Sequence, residues 1–155
     1  MPFRATGLAL SQFEPLFALD DAGLARRGMR RMTVDEKPGF PCRVTLEDAE
    51  LGEHVILLPF EHQPAHSPYR SSGAIFVREQ AAKTFDAVDV VPPVLRGRML
   101  SLRAYDAQDC MVDADIALGD AVEEAIERFF ARDDVRYIHV HNAKRGCFAC
   151  RIERA

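Results

Sequence analysis

One amphipathic helix, set among short extended runs punctuated by turn residues, limits this fold more than any other feature. Asp120 and Glu123 make an Asp-x-x-Glu start, and Val122, Ala125, Ile126, Phe129 and Phe130 recur at i, i+3, i+4, i+7 and i+8. That spacing predicts a helix over 120–131 with one apolar face. No regular strand–helix alternation accompanies it, which excludes a doubly wound parallel sheet. Extended runs are expected at 3–8, 30–34, 53–60, 74–77, 99–105, 111–116 and 135–141. Two short helical pieces are expected at 12–19 and 20–27, the second capped by Asp20 or Asp21 and stopped at Gly28. The expected class is α+β: a curved, mainly antiparallel sheet of six or seven short strands, one long covering helix, and one or two short N-terminal helices.

Nothing in the chain suggests a domain cut, so residues 1–155 are read as a single domain, long enough to bury roughly 68–70% of its unfolded surface. A net charge of −4 gives no electrostatic case for nucleic acid, and the longest apolar run, Val55–Phe60, is too short to span a membrane. Four cysteines (Cys42, Cys110, Cys147, Cys150) without a signal-like amino end point to a cytoplasmic protein with reduced thiols.

The chemistry concentrates in the last hairpin, Tyr137-Ile-His-Val-His-Asn-Ala-Lys-Arg-Gly-Cys-Phe-Ala-Cys150. Period-two alternation puts Tyr137, His139 and His141 on one face and Ile138 with Val140 on the other. If His141 pairs with Cys147 across the hairpin, imidazole and sulfur are neighbours, and the base would activate the thiol. A shift of one residue would separate them.

Four blocks, Pro41–Gly52, Ser67–Val77, Leu102–Asp106 and His139–Cys147, occur in the order that resembles an uncharacterised bacterial family, domain of unknown function 1203. The resemblance implies family positions at Cys42, Tyr69, Gly73, Arg103, Asp106, His139, Asn142, Gly146 and Cys147. It implies no activity. A proline commonly stands where this chain has Ala74, and His66 and Cys150 lie outside the pattern.

Other constellations carry less. Cys147-x-x-Cys150 has redox or zinc spacing, but on a strand i and i+3 face opposite sides, which suits a core thiol at Cys150. His62-x-x-x-His66 would need a helix that Pro64 and Pro68 prevent. Ser67–Gly73 and Lys144-Arg-Gly146 have the composition of anion-binding turns, although Arg70 could simply pair with a surface carboxylate. Arg26–Arg31 reads as a solvated helix end.

The functional expectation is a small polar or anionic ligand bound between the 66–73 loop and the hairpin. Cys147 would be the nucleophile, His141 its base and Tyr69 the acid, with Cys42, Arg70, Ser72, Gly73, Arg103, His139, Asn142, Lys144 and Arg145 lining the site. The first rival is a non-catalytic structural domain, a homo-dimer paired through an exposed strand. The second is a metal-binding protein using His139, His141, Cys147 and Cys42. The sequence names no cofactor.

Overall fold

The computed structural model describes residues 1–155 and has nine strands in two sheets. They are β1 (Phe3–Thr6), β2 (Arg30–Thr33), β3 (His54–Gln63), β4 (Ser71–Arg78), β5 (Asp86–Val88), β6 (Met99–Tyr105), β7 (Met111–Leu118), β8 (Tyr137–Asn142) and β9 (Phe148–Arg154). The helices are α1 (Glu14–Phe17), α2 (Asp21–Ala25) and α3 (Val122–Phe130). The larger sheet runs β5-β1-β9-β8-β6-β7 and the smaller β2-β3-β4, with every neighbouring pair antiparallel. The α+β class holds, whereas the single sheet of six or seven strands is replaced by two sheets. β5 and β7 are free edges, so the larger sheet is open. No helix is long and apolar enough to cross a membrane.

The covering helix has nine residues and is not the long element expected. Its entry is the reason. Gly119 packs so tightly on the 95–96 backbone that a Cβ there would lie 1.8 Å from the Leu95 carbonyl oxygen, and its N–H donates to the Arg98 carbonyl at 2.8 Å. Pinned there, residues 119–121 form a tighter 3-10 turn and Asp120 caps nothing. The apolar face is as expected: Val122, Ala125, Ile126, Phe129 and Phe130 are buried against Leu100, Leu102, Ile138, Val140 and Ile152 of the sheet. At the amino end, the Asp20 carboxylate accepts from the Gly23 N–H at 2.7 Å and caps α2.

On β7 the polar side of the alternation faces the helix. Asp113 and Asp115 lie opposite Ala104 and Leu102 on the helix side, where they pair with Arg132 and Arg128, while Ile116 is 63% exposed. β7 is an edge at the rim of α3, so the charged heads on its helix side still reach water.

The large sheet therefore has two unlike faces. One packs on α3. The other presents Arg103, Tyr105, Tyr137, His139, His141 and Phe148, and is roofed by the end of β3 and the loop after it. Gln63 donates to the Tyr137 hydroxyl at 2.9 Å, Tyr137 donates to Asp109 at 2.7 Å, and Ser67 donates to the Asp109 carbonyl at 2.9 Å. Burial and the Asp109 bond raise the Tyr137 phenol to about 12.

Candidate metal centre

Three histidines meet beneath that roof. His139 and His141 arrive by strand alternation on β8, and both are almost fully buried. His62 comes from β3, where the pairing with β4 slips between Phe60 and Gln63 and re-aims the strand end. It is half-buried, with its ring stacked on Phe148 at 5.4 Å and 4°. One ring nitrogen from each histidine lies within 4.8 Å of the other two. A tetrahedral ion at about 2.0–2.1 Å from each nitrogen needs them roughly 3.3 Å apart, a distance within reach of side-chain rotation.

The hydrogen bonds define which nitrogens are available. The Gly146 carbonyl oxygen, 2.9 Å from His141 Nδ1, can only accept, so Nδ1 carries the proton and Nε2 keeps its lone pair. His62 Nε2 lies 3.2 Å from Ser71 Oγ. Left over are His62 Nδ1, His139 Nδ1 and His141 Nε2, all buried and all without a partner.

Burial, more than any neighbour, holds the imidazoles neutral. It lowers His139 to about 3, helped by Arg151, and His141 to about 4, against the opposing bond to Gly146. His62 is lowered for the same reason and by Arg103. No carboxylate joins the cluster. Arg103, directly opposite His139 on β6, forms no ion pair, whereas Arg151 pairs with Glu153 and lies over the Tyr137 ring at 3.8 Å. The site is thus three neutral nitrogen donors beside one unpaired guanidinium.

Of the residues expected from sequence, His139, His141 and Arg103 share this face. The expected His141–Cys147 pair does not form: His141 pairs with Phe148, and Asn142 donates its backbone N–H to the Cys147 carbonyl. The cause is a bulge. Val140 pairs with Cys150 and His141 with Phe148, so Ala149 is an extra residue and the parity breaks. Cys147 turns instead toward Asn142, whose side-chain N–H donates to its sulfur at 3.4 Å, and lines a separate cavity with Lys144 and Arg145. The expected metal set of His139, His141, Cys147 and Cys42 therefore does not assemble. Cys42 is fully buried in another cluster, where its sulfur accepts from the amides of Val44, Thr45 and Arg78.

The 67–73 segment is not a free turn throughout. Arg70 pairs with Glu61 at the surface, Ser72 is exposed, and Ser72 with Gly73 already belongs to β4. Tyr69 stands edge-on to Tyr105 at 6.2 Å on the roof, apart from Cys147. Cys150 is a core thiol, raised to about 12 by burial.

Two residues with weight here escaped the sequence reading. Pro64 and Pro68 rule out a helix at His62, and the structure instead carries the expected 53–60 strand on to Gln63. Arg43, only 2% exposed, sits in the apolar run Cys42-Arg-Val44, where a lone charge is itself unusual.

A family model described as "Protein of unknown function (DUF1203)" matches residues 39–154, a span that includes all three histidines, Arg43 and Cys147. Neither the search of curated proteins nor that of solved structures returned a match.

Proposed function

This chain belongs to the DUF1203 family, whose description assigns no activity, and we propose that it is a metal-binding protein whose centre is His62, His139 and His141. The observation that carries the reading is that three histidines each bring a ring nitrogen within 4.8 Å of the other two, and that each of these rings has a buried nitrogen without a hydrogen-bond partner. Each such atom costs about 1–3 kcal/mol, and one cation satisfies all three. Neutral imidazoles suit zinc, iron, copper or nickel, and not magnesium or calcium, which take oxygen. The bonds to Gly146 and Ser71 are the outer contacts that orient ligating rings in metal sites.

Three protein nitrogens leave a coordination position for an outside ligand. Neutral donors cancel none of a dication's charge, and Arg103 adds to it, so the outside ligand is a small anion or a polar molecule bound through an oxygen. A metal held there supplies Lewis-acid polarisation of that oxygen. Arg103 orients the anion.

Cobalt(II) and zinc titration of metal-stripped protein tests this. One equivalent should bind, with visible cobalt absorption of a nitrogen-ligated site and a raised melting temperature. His62→Phe separates the reading from a purely packed histidine layer, because phenylalanine preserves the stack on Phe148 but cannot ligate. Unchanged folding with lost cobalt binding supports the centre. Absence of binding to the wild type at micromolar metal defeats it.

A further inference from the structure

A second site lies on the far side of the closing hairpin. Residues of the 36–43 loop, Met32 and Phe76 of the smaller sheet, the start of β6 and the hairpin loop enclose a cavity of about 450 Å³. That is the size of pockets that hold small organic molecules. Its chemistry is one-sided. Arg43, Arg98, Lys144 and Arg145 all line it, against the single carboxylate of Glu36.

The cations are not equally engaged. Arg98 is held by Asp48 at 2.6 Å. Arg43 is buried without any carboxylate; its Nε donates to the Phe148 carbonyl at 2.7 Å and its Nη1 to the Pro41 carbonyl at 2.6 Å. Those dipoles orient the guanidinium and leave its charge uncompensated, a costly arrangement for a buried ion. The ionisable groups beside it are the thiols of Cys147 and Cys42 and a second cation, Arg98. Lys144 and Arg145, exposed on the loop, form no ion pairs. The same cavity is lined by Phe40 and Phe76, tilted together at 5.0 Å.

We infer that this cavity binds a small organic carboxylate, with its charged end among Arg43, Lys144 and Arg145, its apolar body on Phe40 and Phe76, and the carbon next to the carboxylate at the Cys147 sulfur. An anion supplies the missing counter-charge of Arg43. The aromatic wall selects a ligand with an apolar body over a fully hydrated ion. The site shares no ligating residue with the histidine centre.

Affinity alkylation reads the geometry directly. Iodoacetate and neutral iodoacetamide both alkylate a thiol by the same displacement: sulfur bonds to the methylene carbon, iodide leaves, and the thiol proton goes to solvent. Only iodoacetate carries the carboxylate. Peptide mass spectrometry measures both rates at Cys147, with partly exposed Cys110 in the same molecule as the internal reference. The iodoacetate-to-iodoacetamide rate ratio at Cys147 should exceed that at Cys110 by roughly tenfold, the lower end of what a charged cleft gives, and should saturate. Benzoate should slow the reaction and benzamide should not. The double variant Lys144→Ala/Arg145→Ala, on an exposed loop, should lose the preference while melting normally, and Arg43→Lys should retain part of it. A ratio equal to that at Cys110, equal protection by benzamide, or a preference unchanged in the double variant overturns the inference.

Discussion

The Nδ1–H of His141 donates to the carbonyl oxygen of Gly146, 2.9 Å away, and this bond leaves Nε2 as the ring nitrogen without a partner. The acceptor is available because Gly146 adopts φ +76°, a conformation open to glycine and strained for most other residues. Gly146→Val should therefore misdirect the carbonyl and lower cobalt affinity by about 10–100-fold, the usual cost of losing an outer-shell partner. Isothermal titration calorimetry against the wild type checks it.

Ser71 plays the corresponding part for His62, across 3.2 Å. Ser71→Ala removes only a hydroxyl, so the melting temperature should stay within about 2 °C while metal affinity falls about tenfold. A variant that melts early and binds normally would assign Ser71 to packing alone.

Stability of the metal-free protein should fall on acidification. The folded chain holds His139 at about 3 and His141 at about 4, whereas in the unfolded chain both titrate near 6.5. Below that value the unfolded state takes up protons that the folded state refuses. The contribution is complete above about pH 6.5 and declines toward about pH 4, by up to about 1.4 kcal/mol per pH unit for each ring. Urea melts from pH 7 to 4.5 measure the slope, and His139→Phe should flatten it.

Arg103→Gln should strengthen cobalt binding and weaken azide binding to the cobalt form, each by roughly three- to tenfold, as removal of one like charge from a partly screened site requires. Parallel losses of both would show that Arg103 holds the rings in place instead.

Phe129→Ala should destabilise by about 3–5 kcal/mol, because its ring is 1% exposed under α3 and its removal leaves a cavity. Arg132→Ala gives up only surface pairs with Asp113 and Asp134 and should cost less than about 1 kcal/mol.

These contrasts trace what was legible in the chain. Local patterns carried far: the apolar stripe of α3, the Asp20 cap, and the face shared by Tyr137, His139 and His141 all follow from spacing within a few residues. Parity across a hairpin did not, because it survives only without a bulge, and Ala149 and Val112 each insert one. Pro64 and Pro68 hid the end of β3, which runs past the expected residue 60 to Gln63. Proline suits a strand edge, and β2 pairs only with residues 54–57, so at Pro59 the strand has β4 on one side and nothing on the other. His62 lies beyond that point, and its meeting with β8 is a matter of how two sheets stack. No short-range pattern encodes that stacking. The same holds for Arg43, whose carbonyl partner at Phe148 is 105 residues away.

The loop 143–146 belongs to both places at once. Lys144 and Arg145 wall the cavity, and the next residue along supplies the carbonyl that sets the His141 ring. An occupant that drew Lys144 and Arg145 inward and moved that carbonyl with them would change the affinity of the histidines for a cation by some factor. Thermodynamic reciprocity then obliges the cation to change the occupant's affinity by the same factor. Four residues of turn thus make the hairpin a balance beam, on which a weight at either end is felt at the other.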